Sequence, residues 1–223
     1  MTTLEHLLRA EARARELFAE CTRRGFVVPG KTESAISDEI AELADEMFGV
    51  KKFWHKRIVR AGRNTLLPYD ANPPEHTLAA DDILFCDFGP IFEEWEADVG
   101  FTVVLGDDRN KRALADDTAR IWEAGLAYFK TRPNLTAAQL YAHTCELARA
   151  AGWEFGHIHC GHVVGKFPHE RDAEGDTELM TASNHRPLRR PGQDGEPLRW
   201  ILEVHLVDRD AGIGGFQEAL LVE

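Results

Sequence analysis

Asp87 and Asp98 stand eleven positions apart in ILFCDFGPIFEEWEADVGFTVVL, each at the inner end of a short apolar run. A carboxylate at the edge of a buried strand costs several kcal/mol unless it is paired or bound to a cation. Two aimed at one place repel, so something positive is expected between them, and a metal site is the sharper reading. The plainer reading is a turn: Asp between an apolar strand and Gly is common there, and Glu93, Glu94 and Glu96 fit a solvated loop. More residues of the same chemistry follow. His162 stands in CGHVVGKFPHE between Gly161 and Gly165, with His169 seven residues later. Glu203 lies inside WILEVHLV and Glu218 inside GFQEALLV. In a strand Glu203 faces away from both Leu202 and Val204, and if the strand is central it is buried and needs a partner. The same holds for Glu218 between Gln217 and Ala219. One such carboxylate fits a structural ion pair; four with a histidine point to cations.

These residues need strands to aim them and helices to cover the strands. Ile83–Cys86 and Phe101–Leu105 read as two strands, short, branched or aromatic and bounded by Gly and charge. Phe53–Val59 and Phe155–Val164 are strand-like as well, and Trp200–Val207 and Gly215–Val222 form the last two strands. Helices are expected from Thr3 to Arg23, ended by Gly25, and from the cap Thr32 to Gly49. A third runs from about Lys111 to Lys130, and a fourth from the cap Thr136 through Ala151. Leu66–Thr77 reads as a loop, and Glu170–Pro197, with HRPLRRPG inside it, as a long charged excursion. At an offset of 104, Thr32 falls on Thr136, Ile36 on Leu140, Glu42-Leu43-Ala44 on Glu146-Leu147-Ala148, His55 on His159 and Val59 on Val163. Helix, strand and hairpin therefore repeat in order, as in a duplicated α+β domain with halves at roughly 27–106 and 131–223.

Composition narrows the partners. A chain of 223 residues suffices for one good core or two small ones packed together, and a formal net charge of −12 argues against nucleic acid and anionic membrane surfaces. No apolar run has the length of a membrane span, and the amphipathic, charged amino terminus is not a signal peptide. Cys21, Cys86, Cys145 and Cys160 lack zinc-finger or CxxC spacing, so a reduced, cytoplasmic protein is expected. Trp54, Trp95, Trp153 and Trp200 fit core or interface positions. Cys160 reads as a small buried hydrophobe. His6, His76, His143 and His185 fit solvated positions, while His55 and His205, read as strand residues, are candidates for supporting a metal site.

The five-residue set resembles the pita-bread metallopeptidases: methionine aminopeptidases, Xaa-Pro aminopeptidases, prolidases and creatinase. The DxG after an apolar strand, the aspartate eleven on, the GHxxG with a histidine seven on, the paired strand glutamates and VVPGKTE all carry the likeness. It covers nearly the whole chain from about Val27. The resemblance implies a single pita-bread domain over residues 1–223, two pseudo-symmetric halves around a curved antiparallel sheet, and two divalent ions. It implies Asp98 and Glu218 as bridging ligands, Asp87 on one ion, and His162 with Glu203 on the other. Glu203 would pass a proton from the attacking water to the leaving amine, and His169 would hydrogen-bond the scissile carbonyl. An oxygen-rich site with one imidazole suits manganese, cobalt or iron and tolerates zinc.

The likeness is nearest to the Xaa-Pro peptidase branch, through GRNTLLPY, PLRRPG and FGPIFEEWEAD. Three departures bear on substrate. Tyr69 stands where these peptidases carry a histidine. Ile158 stands where the Xaa-Pro branch has another, with His157 and His159 flanking it. The amino-terminal domain of the Xaa-Pro enzymes is expected to be missing, since the sequence opens on what reads as the first helix of the catalytic domain. The expected activity is hydrolysis of a short peptide or amide, with Tyr69, His159 and His169 at the substrate, and a homodimer is compatible with it. Creatinase-like cleavage of a non-peptide C–N bond, or a binding protein that kept the fold without catalysis, are the alternatives.

Overall fold

The computed structural model describes residues 1–169, 178–192 and 195–222. Among the described residues four α-helices, α1 (Thr3–Arg24), α2 (Glu33–Phe48), α3 (Arg109–Lys130) and α4 (Ala137–Ala150), pack on an antiparallel sheet. Their ends follow from local chemistry. Thr2 and Glu5 form a capping box on α1, and Gly25 closes it in the left-handed region at φ 68°. Thr32 and Thr136 cap α2 and α4 through their side-chain oxygens, with nearly the same backbone angles. Among the described residues no helix is long and apolar enough to cross a membrane.

The sheet contains β1 (Ile58–Ala61), β2 (Ile83–Phe88), β5 (Val99–Val104), β10 (Ile213–Leu220), β9 (Arg199–Asp208), β7 (His159–Val164) and β8 (Leu179–Thr181), neighbours in that order. A short β6 (Glu154–Phe155) also pairs with β9, and β3 (Ile91–Phe92) with β4 (Trp95–Glu96) form a separate hairpin. Side chains alternate along each strand. Leu84, Cys86 and Phe88 of β2 pack against Leu17, Phe18, Ile36 and Ile40 of α1 and α2. Leu202, Val204 and Leu206 of β9 pack against Leu114, Ile121 and Leu140 of α3 and α4. Burying each such side chain contributes roughly 1.5–3 kcal/mol. The intervening residues, Asp87, Glu203 and Glu218 among them, are thereby turned to the opposite face.

Three strand boundaries differ from expectation. Phe53–Val59 is a strand only at its end: β1 begins at Ile58, and ahead of it Phe53 makes an isolated bridge to Pro90. His55 accordingly sits in a bend rather than a strand. Phe155–Val164 is interrupted after β6, where Gly156 passes against the His205 ring with no room for a Cβ. The excursion at 170–197 contains β8, which pairs with β7 and whose Met180 is fully buried; residues 170–177 and 193–194 of that stretch lie outside the described residues. Alternation is a poor signal for a three-residue strand inside Gly- and Pro-rich sequence.

Candidate metal centre

The register of the sheet sets the carboxylates in a row. Asp87 on β2 lies opposite Gly100 on β5, Gly100 opposite Glu218 on β10, and Glu218 opposite Glu203 on β9. Gly100 keeps the row open, since a Cβ there would come within 2.5 Å of the Phe216 ring and 3.0 Å of Glu218. Asp98 enters just ahead of β5 and is almost fully buried, as are Glu218 and Glu203.

His162 reaches the row from β7. Its Nε2 lies 3.1 Å from Asp98 Oδ2, 3.5 Å from Glu203 Oε1 and 3.8 Å from Glu218 Oε1. Three residues back, His159 also faces Glu203, with Nδ1 3.7 Å from Oε2. Residues three apart in a regular strand point to opposite faces. The register shifts between His159 and His162, and Gly161 takes φ 144° with its backbone against Ile201 O. This bulge turns both imidazoles toward one carboxylate.

The five residues expected to bind metal thus converge. Four ionised carboxylates carry four negative charges, which two divalent cations would neutralise. Glu218 Oε2 is buried with no hydrogen-bond partner among the described residues, a costly state unless a ligand or proton takes it up. Oxygen donors with imidazole suit divalent first-row ions, and the groups fit them. Electrostatics in the metal-free chain agree. Burial, with the charges of Asp98, Asp87 and Glu203, holds the Glu218 carboxyl well above its usual range. Asp87 is raised as well, by burial. Burial works in the same direction on Asp98, but His55 and His162 outweigh it and hold its carboxyl below the ordinary value.

The remaining expected site residues fall at different distances. His169 comes to the rim, its Nδ1 2.8 Å from Glu96 Oε2. Glu96 also accepts the backbone N–H of Gly165 at 3.0 Å and of His169 at 3.2 Å, so one buried carboxylate shapes the whole loop. The sequence reading of Glu96 as a solvated loop residue is therefore corrected: it is 1% exposed. Tyr69 stays near the surface; its hydroxyl accepts the Lys56 N–H at 3.1 Å, and its ring centre lies 6.1 Å from that of His55. Arg60 holds this segment by donating to the carbonyls of Leu67, Pro68, Tyr69 and Ala71.

Two further residues stand at the site: His55, expected only as a supporting residue in a strand, and Trp54, read as a core or interface residue. His55 Nε2 lies 3.0 Å from Asp98 Oδ1 and 3.5 Å from Asp87 Oδ1. Trp54 donates from Nε1 to Ala97 O at 3.0 Å, and its ring meets those of His55, His162 and His169 at centroid distances of 4.4, 5.2 and 5.7 Å. The Trp-His pair offers no periodicity to read; the signals were the alignment of His55 with His159 in the repeat and the reading of His55 as a candidate to support a metal site. His205 is buried, but its Nε2 meets Thr65 O at 2.8 Å.

Residues 5–193 match the model of metallopeptidase family M24. A Mycoplasma pneumoniae protein provisionally named Xaa-Pro aminopeptidase is 28% identical over 171 residues, covering 73% of this chain and 48% of that protein. A Xaa-Pro dipeptidase of Lactobacillus delbrueckii subsp. lactis is 27% identical over 142 residues, 63% of this chain and 38% of its own. This chain therefore spans about half or less of the length of these curated relatives. Among solved structures, dipeptidase PepE from Mycobacterium ulcerans has a TM-score of 0.79 at 24% identity, covering 98% of this chain and 54% of that one. An X-Pro aminopeptidase from Thermotoga maritima has a TM-score of 0.77 at 19% identity, covering 98% and 58%. Likeness at these identities establishes a shared fold. With its helices against one face of the sheet, its candidate ligands on the other and the family match over residues 5–193, the chain belongs to metallopeptidase family M24 and has the pita-bread fold.

Proposed function

We propose that this protein is a hydrolase of short peptides dependent on two divalent metal ions, of Xaa-Pro peptidase type. The observation that carries the reading is the convergence of Asp87, Asp98, His162, Glu203 and Glu218, with Glu218 Oε2 unpaired. Asp98 and Glu218 would bridge the ions, Asp87 would hold one, and His162 with Glu203 the other. Bound cations supply Lewis acidity, polarising a carbonyl and bringing the pKa of water toward ~7.

The rest of the chemistry belongs to the chain. Glu203 takes a proton from the attacking water and returns it to the leaving amine. His169, its Nδ1 held against Glu96, directs Nε2 to the carbonyl oxygen as negative charge develops there. Tyr69 stands at the substrate rim. Four free thiols, three of them buried, support a cytoplasmic setting.

The test is to load the protein with manganese or cobalt and assay release of free amine from Xaa-Pro dipeptides and tripeptides and from guanidino compounds. Cleavage of Xaa-Pro peptides that chelation stops and metal restores supports the proposal. Turnover confined to guanidino compounds would favour the creatinase-like alternative, which Tyr69, a weaker proton carrier than histidine at neutral pH, mildly supports. Metal binding without hydrolysis of any of them would favour a binding protein.

A further inference from the structure

His55 and His162 approach one carboxylate from opposite sides. His162 Nε2 is 3.1 Å from Asp98 Oδ2; His55 Nε2 is 3.0 Å from Asp98 Oδ1. The likeness extends to the other ring nitrogen. His162 Nδ1 lies 2.9 Å from the carbonyl of the following residue, Val163, and His55 Nδ1 lies 2.8 Å from that of the following residue, Lys56. A backbone carbonyl on Nδ1 fixes the proton there and leaves the Nε2 lone pair facing the carboxylates. Histidines that bind metals almost always have their second nitrogen held in this way.

The surroundings hold His55 in this pose. Its side chain is only 8% exposed. Gly89, the glycine of the DFG at the end of β2, leaves room for it: a Cβ there would fall 2.3 Å from Trp54 Nε1 and 2.4 Å from His55 Cδ2. Trp54 is tied to Ala97 O, next to Asp98, and the Lys56 N–H is tied to the Tyr69 hydroxyl. Hydrogen bonds therefore fix the bend on both sides of His55. Donor atoms of His55, Asp87 and Asp98 lie within 4.8 Å of one another, as do those of Asp98, His162 and Glu218.

We infer that His55 is a sixth metal ligand, on the ion held by Asp87. This rests on the dinuclear reading above. Each ion then has one imidazole: His55 with Asp87, Asp98 and Glu218 on one, and His162 with Asp98, Glu203 and Glu218 on the other. An imidazole added to an otherwise all-carboxylate ion moves its preference from manganese and magnesium toward cobalt, nickel and zinc. The competing role for His55 is that of a fixed cation, occupying the place of one metal ion.

Cobalt titration with elemental analysis and X-ray absorption on the wild-type protein separates these roles without any variant. Two ions per chain with an average of one imidazole each supports the inference. Two ions with half an imidazole each, or a single ion per chain, overturns it. The variants His55→Gln and His55→Phe add an affinity readout, with a melting curve to confirm that each folds. One ion should be retained at wild-type affinity and the other weakened at least about tenfold. Both ions retained at wild-type affinity would exclude His55 as a ligand while leaving the dinuclear proposal standing. A wild type that binds no metal, or an Asp98→Ala variant that binds two ions normally, would instead remove the dinuclear proposal itself.

Discussion

Glu218 on β10 and Glu203 on β9 are directly opposed across an antiparallel pair, both nearly inaccessible to solvent. Like charges at such a position destabilise a sheet. His162 Nε2, 3.5 Å from one and 3.8 Å from the other, cannot offset both together with Asp87 and Asp98. The fold at this point is arranged for more positive charge than its own side chains supply.

Removing metal should therefore lower the melting temperature. At a hundredfold excess over Kd each ion contributes about 2.7 kcal/mol, a shift of roughly 5–10 °C in a chain of this size. Differential scanning with chelator, then with cobalt or manganese added back, measures it. No shift on chelation would count against metal in the folded protein.

The chelated protein should also lose stability as pH rises. Burial opposes the charging of His55 and His162, but the carboxylates around them outweigh it and hold these groups up to about 10 and about 9. A histidine raised on folding adds stability that is complete below its unfolded pKa of about 6.5 and is lost as pH passes its folded value. The raised Glu218 and Asp87 act in the same sense, their folded state favouring the proton. Melting curves from pH 6.5 to 10 should fall steeply with chelator and remain flatter with metal; parallel curves would contradict the charge assignment.

Glu218→Gln should change sign with the metal. Loaded, the variant loses a bridging oxygen charge, binds both ions more weakly and melts lower than wild type. Chelated, it lacks the most strongly repelled carboxylate and melts higher. Asp87→Ala should mainly lose one ion. Isothermal titration showing two intact sites in Glu218→Gln would rule out bridging.

His169→Ala should reduce kcat by about 10²–10³ with metal content unchanged, in keeping with loss of one donor to a developing oxyanion. Glu96→Gln keeps an acceptor for the loop but not the carboxylate on Nδ1, and should give a smaller loss of kcat. A fall in metal content in either variant would argue that the loop supports the ligands instead.

Tyr69 should make the wild type slow on standard Xaa-Pro dipeptides. Its hydroxyl is engaged by the Lys56 N–H, and burial raises its pKa further above neutrality. Tyr69→His should gain activity on a Xaa-Pro panel. Wild-type turnover at ordinary peptidase rates of about 1–10³ per second would show the tyrosine to be neutral.

The candidate ligands were legible because Asp87, His162, Glu203 and Glu218 stand on strands, whose period of two declares a face, and Asp98 directly precedes one. Glu203 between Leu202 and Val204 can be placed on the face away from the core before the strand's neighbours are known. Thr32, Thr136, Gly25 and Gly49 were equally readable, since capping is chemistry within a few residues of the chain. Tertiary structure alone decided the rest. His55 lies 43 residues before Asp98 in a bend with no periodicity, and only the path of β1 beside β2 brings it to the carboxylates. Glu96 looks like one acid among several until the loop from Gly165 to His169 folds onto it. The bulge at Gly161, which turns His159 and His162 to one glutamate, arises from register between β7 and its neighbours. Local patterns specify which element forms and which face is buried; which distant side chains then meet depends on register and curvature, properties that strands acquire only on pairing.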